Sequence, residues 1–249
     1  MGLLKGQTAV VFGGSGFIGS SICQRLAREG ARVVVHYHQN EQAARHVVSV
    51  IGEAGGMAQV VQADVTDKNS VGKAIKAATE RYGAIQIAVN TVHKRSEHKP
   101  VRDLEWADWK VHLDALRGHF TICTCMLPVM RHQAYGRIVY VSGGFSYRHF
   151  KGCALYSTIK SGLNSFCKTL ALEEGDHNIT VNIVAPGQVF PAGMTLKRDI
   201  VTDLNPVEIP LKRFASPEDV AEAVLYFVSP AASGITGQTL FVAGGEIMP

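Results

Sequence analysis

A tyrosine and a lysine four residues apart, Tyr156 and Lys160, are the residues in this 249-residue sequence whose types and spacing most directly suggest chemistry. A spacing of four places both side chains on one face of a helix. A lysine ammonium there favours ionisation of the phenol, whose reference pKa is about 10. The tyrosine then becomes a proton donor that is usable near neutral pH. The pair alone is weak evidence, because it also arises by chance in helices.

A glycine-rich turn stands far upstream of that pair, between an apolar run at 8–12 and a segment with helical periodicity at 18–29. Glycines at such a junction let the backbone approach a pyrophosphate, and the amino terminus of the following helix attracts it. We therefore predict a dinucleotide-binding turn, although a tight turn that uses glycine for positive φ would show the same pattern. The residues expected to contact the cofactor here are Gly13, Ser15, Gly16, Phe17, Ile18 and Gly19.

Apolar runs and helical patterns continue to alternate along the chain. Further strands are predicted at 33–37, 58–63, 85–90, 136–142, 180–185 and 239–242. Further helices are predicted at 41–52, 70–82, 106–132, 157–174 and 217–227. Strands that alternate with helices of this length specify a parallel, doubly wound sheet with helices on both faces. We predict a Rossmann-like α/β fold in a single domain, 1–249, that binds ligands beyond the carboxyl ends of its strands.

Composition and charge narrow the class of protein. A hydrophobic content of 46% suits one large domain with a sizeable core, and a net charge of +4 is too small to indicate a nucleic-acid partner. No run approaches the ~18 apolar residues of a membrane span, and the amino terminus lacks the pattern of a signal peptide. The five cysteines form no CxxC pair, which argues for reduced thiols and against a zinc site. We expect a cytoplasmic protein without a metal, a nucleic-acid partner or a membrane partner.

The end of the second predicted strand bears on the choice of cofactor. NAD-binding folds of this type usually carry an acid there, which holds the ribose 2′-hydroxyl. This chain has Tyr37 at that place, followed by His38, and neither repels a 2′-phosphate. We expect NADP(H) to be preferred over NAD(H); the alternative is that Tyr37 only packs and His38 is solvated. Asp64 and Val65 follow the third strand, where the carboxylate is expected beside the adenine or as a cap of the next turn.

Further motifs occur in a characteristic order. Asn90 follows the fourth predicted strand, a YSTIK segment contains Tyr156 and Lys160, and Pro186-Gly187 follows the sixth strand. Together with the glycine turn, this set resembles the classical short-chain dehydrogenase/reductase family, especially 3-oxoacyl-carrier-protein reductases, over nearly the full chain. The resemblance implies that Tyr156 donates the proton and that Lys160 tunes it and binds the nicotinamide ribose. It also implies a nicotinamide side lined by Asn90, Pro186, Gly187 and Val189.

The resemblance has implications for assembly and substrate. Family members pair through helices that correspond to 106–132 and 157–174, so a homotetramer or homodimer is expected. The substrate is expected to be a small-molecule carbonyl compound or alcohol. A long segment, 190–210, follows Pro186-Gly187 and is expected to act as a mobile lid. Its apolar residues, which are expected to contact substrate or a partner subunit, are Phe190, Met194, Leu196 and Ile200.

Basic residues follow the fourth and fifth predicted strands. At the ligand-binding edge they would steer an anionic substrate, such as an acyl thioester. A solvated basic rim without a role in binding is the alternative. These residues are His93, Lys94, Arg95, His98, Lys99, Arg102, Arg148, His149 and Lys151.

The active-site serine of the family is missing. Family members usually place it thirteen residues before the tyrosine, where this chain has Gly143. Ser142 would replace it only if the strand end is bulged, because a one-residue shift turns a strand side chain to the opposite face. Ser146 would reach the site from the loop. Both serines stay open as catalytic candidates, and hydrogen bonding within the loop is the alternative for each.

Three other positions depart from the family pattern. The helix asparagine is replaced by Ala115, with Asp114 beside it, which alters the usual water relay behind Lys160. His93 stands where the family has a small glycine, and it either donates to a substrate or has no catalytic role. The spacing of the glycine turn resembles the extended, epimerase-type branch, whereas the carboxyl half and the length are classical.

Two functional classes follow from these motifs and departures. We predict an NADP(H)-dependent oxidoreductase that interconverts a ketone and a secondary alcohol. Because Gly143 lacks a hydroxyl, we expect a slow enzyme, in which Gly143→Ser would raise turnover. The alternative is a nucleotide-binding member with weak or no redox activity, which acts as a binding or assembly protein or as a non-redox enzyme. The substitutions at Gly143 and Ala115 motivate this alternative.

Overall fold

A parallel β-sheet forms the centre of the molecule. The computed structural model describes residues 2–93, 98–192 and 209–248. Its strands are β1 (Thr8–Phe12), β2 (Arg32–Tyr37), β3 (Met57–Gln62), β4 (Ile87–Asn90), β5 (Gly136–Val141), β6 (Ile179–Pro186) and β7 (Thr239–Val242). They pair in the order β3-β2-β1-β4-β5-β6-β7, and every pairing is parallel.

Six α-helices of the described residues cover both faces of the sheet. They are α1 (Phe17–Arg28), α2 (Glu41–Glu53), α3 (Lys68–Tyr82), α4 (Trp106–His132), α5 (Ala154–Glu174) and α6 (Pro217–Val228). Apolar side chains of α1, α2 and α6 form a core on one face, and those of α3, α4 and α5 form a core on the other. The predicted Rossmann-like, doubly wound α/β fold is confirmed.

The position of β1 determines where a ligand can bind. From β1 the chain first builds the sheet outward through β2 and β3, then returns to place β4 on the other side of β1. The loops after β1 and β4 therefore leave in opposite directions and open a crevice between them. Ligands of open α/β sheets bind at this switch point, outside the carboxyl ends of the strands.

The local sequence accounts for the buried strands and for the helix ends. All residues of β1, β5 and β6 are buried, as expected of central strands covered on both faces. Helix α6 begins with a capping box, in which Ser216 and Asp219 each accept a hydrogen bond from the other's backbone N–H. No helix within the described ranges combines the length and the apolar character needed to cross a membrane.

Some predicted boundaries are wrong, and one of them concerns the site. Helix α5 begins at Ala154 rather than at 157, because the Ser157 N–H already donates to the Cys153 carbonyl at 2.8 Å. Tyr156 therefore lies within the first turn of α5. Strand β4 begins at Ile87 rather than at 85, and β5 ends at Val141, one residue before the predicted end.

Candidate active site

A cavity of about 800 Å³ opens at the carboxyl edge of the sheet, at the switch point. Most of the residues predicted to bind a cofactor line it. They are Gly13, Ser15, Gly16, Phe17, Ile18, Gly19, Tyr37, His38, Val65, Tyr156, Lys160, Pro186, Gly187 and Val189. Asp64 and Asn90, which were also predicted, do not line the cavity but lie next to residues that do.

The glycine turn brings bare backbone to this cavity. Gly13 has a φ of +79°, in the left-handed region that favours glycine. A Cβ on Gly19 would lie 2.9 Å from the backbone of Gly14, so helix α1 can pack against the turn only with glycine there. Helix α1 has neither a side-chain cap nor an acidic residue in its first turn. Its first N–H groups are therefore available for an anionic ligand such as a phosphate.

His36 supports this turn through a hydrogen bond, a role that no sequence pattern indicated. The Gly13 N–H donates to His36 Nδ1 at 3.0 Å. Because Nδ1 accepts, the ring proton lies on Nε2, which donates to the Ala63 carbonyl at 3.1 Å. Burial lowers the pKa of His36 to about 4, so the imidazole is neutral at physiological pH. His36 thus joins the glycine turn to the chain that follows β3.

The end of β2 carries no acid toward the cavity. Tyr37 is buried, and His38 lies 3.9 Å from the carboxylate of Asp64. Asp64 accepts hydrogen bonds from the N–H and the hydroxyl of Thr66, which lower its pKa. Asp64 therefore caps the turn after β3, as one of the two predictions for it states. Within the described ranges, no Asp or Glu side chain lines the cavity.

Tyr156 and Lys160 project from one face of α5 toward the end of β5. Lys160 is only 4% exposed, and its Nζ donates to the Val141 carbonyl at 3.3 Å and lies 5.7 Å from the centre of the Tyr156 ring. Burial lowers the pKa of Lys160 to about 8 and raises the pKa of Tyr156 to about 12. The expectation that Lys160 depresses the pKa of the phenol is not met here, because desolvation dominates for both groups.

The structure separates the two candidate serines. Strand β5 continues regularly into Ser142, whose N–H donates to the Val184 carbonyl at 2.8 Å, so the strand end has no bulge. Ser142 lines the large cavity, and its buried hydroxyl has no hydrogen-bond partner. The Ser146 hydroxyl accepts a hydrogen bond from Asn164 on α5 at 2.8 Å, and Ser146 does not line the large cavity. The bulge that Ser142 would need is therefore absent, and Gly143 is the residue that faces Tyr156.

A second, smaller cavity of about 200 Å³ adjoins the first. Tyr156, His93, Pro186 and Gly187 line both cavities. The remaining walls of the small cavity come from His98, Gly144, Phe145, Cys153 and Gln188. The Phe145 ring meets the Tyr156 ring edge-on at a centroid distance of 5.9 Å. The small cavity therefore presents a mainly apolar space beside the phenol, of a size that suits the reacting end of a substrate.

Asn90 and His119 form a buried pair behind the two cavities. Asn90 Oδ1 accepts from the Val92 N–H at 3.0 Å, which leaves its Nδ2 to donate to His119 Nδ1 at 2.8 Å. Nδ1 of the ring is therefore an acceptor, and the proton lies on Nε2. Burial lowers the pKa of His119 to about 3, so the ring stays neutral. Sequence motifs indicated Asn90 but not His119, because a histidine in the interior of a helix carries no distinctive pattern.

Carboxylates neutralise much of the predicted basic rim. Lys99 pairs with Asp108 at 2.8 Å, Arg102 lies 3.7 Å from Asp103, and Arg148 lies 3.6 Å from Glu246. The expected convergence of positive charge is thus weaker than the sequence indicated. Lys94 and Arg95 lie outside the described residues.

The start of the predicted lid, at Phe190, is held against the segment that precedes α6. Val189 pairs with Ala215 in a short parallel bridge, and the Phe190 N–H donates to the Ala215 carbonyl at 3.0 Å. The Phe190 ring contacts the Phe214 ring at a centroid distance of 4.6 Å. The other apolar residues predicted for the lid, which are Met194, Leu196 and Ile200, lie outside the described residues.

The cysteines and possible metal ligands are placed as follows. All five cysteines are free thiols. Cys153 lies at the N-cap of α5 and lines the small cavity. Among residues 2–93, 98–192 and 209–248, no three His, Cys, Asp or Glu side chains are grouped as metal ligands.

Comparison with known proteins relates this geometry to a family of enzymes. The family described as enoyl-(acyl carrier protein) reductase matches residues 15–246. A 3-oxoacyl-[acyl-carrier-protein] reductase from Synechocystis sp. is 35% identical, with 100% of both chains covered. An acetoacetyl-CoA reductase from Allochromatium vinosum is 32% identical over 97% of this chain and 99% of its own. A solved short-chain dehydrogenase/reductase variant from Serratia marcescens superposes with a TM-score of 0.86 at 30% identity, covering 98% of each chain.

Proposed function

The chain belongs to the short-chain dehydrogenase/reductase family of oxidoreductases, and we propose that it interconverts a ketone and a secondary alcohol with NADP(H). The observation that carries the proposal is the position of Tyr156 and Lys160 on one face of α5, where both line the large cavity and Tyr156 also lines the small one. The large cavity would hold the cofactor and the small one the reacting end of the substrate. The nicotinamide supplies or takes up the hydride, and Tyr156 supplies or takes up the proton.

The residues of the large cavity fit a dinucleotide. The bare N–H groups at the start of α1 and the close packing around Gly13 and Gly19 suit a pyrophosphate. Lys160 Nζ makes one hydrogen bond, to Val141, so its remaining donors are available to ribose hydroxyls. Pro186, Gly187 and Val189 would line the nicotinamide side, where Asn90 supports the neighbouring loop from behind.

Two features support a preference for NADP(H) over NAD(H). The described wall of the large cavity carries no carboxylate that would repel a 2′-phosphate. His38, Gln39 and Asn40 line its adenosine end instead, and they offer polar hydrogen-bonding groups. Asp64 lies outside the lining of this cavity, and its Oδ1 atom accepts hydrogen bonds from Thr66.

Tyr156 suits the role of proton donor in the direction of ketone reduction. The raised pKa of its phenol keeps it protonated at neutral pH, and the phenol lines both cavities. A buried Lys160 ammonium beside the ring stabilises the phenolate that forms as the proton leaves. Gly143 faces the phenol on this wall, and the hydroxyl of Ser142 is buried away from solvent, so neither candidate serine is positioned as a second donor to the reacting oxygen.

Turnover of a diffusible 3-oxoacyl thioester tests the proposed function. Two relatives are named as reductases of 3-oxoacyl-carrier-protein and of acetoacetyl-CoA, which makes acetoacetyl-CoA a suitable probe. We expect the purified protein to consume NADPH at 340 nm with acetoacetyl-CoA, and to reduce NADP+ with 3-hydroxybutyryl-CoA. Lack of turnover with these thioesters and with a panel of simple ketones and sugars would contradict the proposal.

A nucleotide-binding protein with weak or no redox activity is the second candidate. Gly143 favours it, since the residue that would present a hydroxyl beside the phenol has no side chain. The orientation of Ser146 toward Asn164 also favours it. Tight binding of NADPH in calorimetry, combined with no turnover in any of these assays, would select this candidate.

We further propose that the chain assembles in the cytoplasm as a homotetramer or homodimer through α4 and α5. Large apolar side chains of these helices are exposed, with Phe120 at 55% and Leu172 at 85%. The free thiols agree with a reducing compartment. Multi-angle light scattering should give a mass of two or four chains, and Phe120→Glu should lower it. A wild-type monomer at micromolar concentration would contradict the assembly.

A further inference from the structure

His93 occupies a distinctive place between the two cavities. Of the titratable side chains in the described part of the chain, His93 and Tyr156 are the two that line both cavities. His93 belongs to the loop after β4, and the residue is exposed. It therefore stands between the phenol and bulk water, on the open side of the site.

The opposite side of the site is built from buried groups. Lys160 lies there, almost fully buried, with the Val141 carbonyl as its hydrogen-bond partner. Ala115 on α4 has no polar atom in its side chain. His119 is held in one tautomer by the amide of Asn90, and an amide does not take up and pass on a proton at this pH.

The residues that lead from β4 to His93 are held in place by their neighbours. Asn90 fixes the Val92 N–H, and both the N–H and the hydroxyl of Thr91 donate to the Phe12 carbonyl at 2.9 Å. The same strand end leads into Gly13, which His36 holds from the other side. The backbone that leads into His93, at Thr91 and Val92, is therefore fixed relative to the glycine turn.

We propose that His93 carries the proton between Tyr156 and bulk water, a role that rests on the proposed oxidoreductase function. In alcohol oxidation, a ring nitrogen of His93 takes the phenolic proton, so that an N–H bond forms as the O–H bond breaks. The phenolate of Tyr156 then takes the hydroxyl proton of the alcohol as the hydride leaves its carbon for the oxidised cofactor. The imidazolium releases the proton to water, and ketone reduction follows the same steps in reverse.

The acid–base properties of the two groups agree with this role. The pKa of His93 is lowered, first by desolvation in the cleft and then by the Lys160 ammonium, so the ring is a neutral acceptor near pH 7. The phenol of Tyr156, with its pKa raised to about 12, loses its proton slowly to water and benefits from a nearby base. Lys160 on α5 lowers the pKa of His93, and a hydrogen bond to the Thr91 backbone opposes this. The other titratable groups near His93 are His119 on α4, whose pKa His93 helps to lower, and Tyr156, His98 and Cys153, which line the small cavity with it.

Chemical rescue tests the relay in the direction that needs a base. We expect His93→Ala to lower kcat for oxidation of 3-hydroxybutyryl-CoA by NADP+ at least tenfold. Added imidazole should restore kcat in a saturable manner, and it should not rescue Tyr156→Phe. His177→Ala is the control and should keep the wild-type kcat, because His177 lies just before β6, at the opposite edge of the sheet. The dissociation constant for NADP+, measured by calorimetry, should stay within twofold in His93→Ala.

A readout without turnover separates the relay from the proposed function. In the cofactor-free protein, the His93 ring signal in proton NMR is identified by its loss in His93→Ala. Proton transfer requires that the phenol donate a hydrogen bond to His93, and such a bond favours the neutral ring. Under the relay, Tyr156→Phe should therefore raise the titration midpoint of His93, whereas Ser146→Ala should not. If the wild type converts none of the probe substrates but the His93 midpoint still rises in Tyr156→Phe, the redox function is contradicted and the contact between the phenol and His93 is supported. An unmoved midpoint, an unchanged kcat in His93→Ala, or a loss that imidazole does not restore would overturn the relay.

Discussion

The phenol of Tyr156 lies directly against Gly143. A Cβ on Gly143 would be 3.1 Å from Cζ and 3.2 Å from Cε1 of the tyrosine ring, and closer still to its hydroxyl oxygen. Gly143 has a φ of −170°, an extended conformation open to any residue, so the phenol alone is the obstacle. The missing hydroxyl and the position of the proton donor are therefore linked, since Tyr156 occupies the space that a serine side chain would need.

This contact reverses the expected effect of Gly143→Ser. The sequence predicted higher turnover from a restored hydroxyl, whereas the structure predicts a displaced phenol and lower turnover. We expect Gly143→Ala to reduce kcat with acetoacetyl-CoA by roughly 10²-fold, because a shift of about 1 Å at a reacting group has that effect. Gly143→Ser should fall by a similar factor. Steady-state kinetics of both variants measure it, and a gain in Gly143→Ser over both the wild type and Gly143→Ala would restore the original prediction.

Tyr156→Phe should abolish turnover and leave cofactor affinity almost unchanged. The phenol lines the reaction end of the large cavity, far along the chain from the glycine turn that would hold the pyrophosphate. Removal of a general acid lowers the rate by about 10²- to 10⁴-fold. The measurements are kcat with acetoacetyl-CoA and the calorimetric dissociation constant for NADPH. The matched control is Tyr147→Phe, which changes an exposed tyrosine in the loop between β5 and α5. Wild-type turnover in Tyr156→Phe would exclude the tyrosine as proton donor.

Parts of the site that depend on local sequence patterns could be predicted, whereas parts that depend on distant contacts could not. Helix α4 has the predicted bounds, Trp106–His132, and the glycine turn lies where the strand and helix patterns meet. Both depend on local periodicity, which the sequence shows. The direction of the Ser146 hydroxyl depends on Asn164, which lies 18 residues later in the chain, on α5. No local sequence pattern encodes such a contact. The roles of the buried histidines His36 and His119 could not be predicted, because their hydrogen-bond partners come from distant parts of the chain.

NADPH should bind more tightly than NADH. The cavity wall at the end of β2 lacks a carboxylate among its described residues, and a 2′-phosphate meets no like charge there. Tyr37→Asp should shift the preference toward NADH, because the new carboxylate repels the phosphate and accepts from the 2′-hydroxyl. Tyr37→Asn, which is nearly the same size but neutral, separates the charge from the loss of the ring. Fluorescence titration of both cofactors gives the ratio of affinities, and an equal or higher affinity for NADH in the wild type would refute the preference.

Acid should destabilise the protein through His36. The pKa of this buried histidine is about 4 in the folded protein, against about 6.5 for an unperturbed histidine, so the unfolded chain binds more protons between these values. Stability therefore rises with pH across this window, and it falls as the pH drops from 6.5 toward 4. At about 1.4 kcal/mol for each unit of difference, His36 alone accounts for about 3 kcal/mol at the acid end.

Urea denaturation at several pH values between 4 and 7 measures this loss. His36→Gln can still accept from the Gly13 N–H and donate to the Ala63 carbonyl, but it does not titrate. The variant should be no more stable than the wild type at pH 7. Because glutamine does not titrate, the variant should lose less free energy of unfolding than the wild type on acidification. His46→Gln, at an exposed position of α2, is the control and should follow the wild-type profile. If the profiles of His36→Gln and the wild type run parallel from pH 7 to pH 4, the histidine is not the group that senses acid.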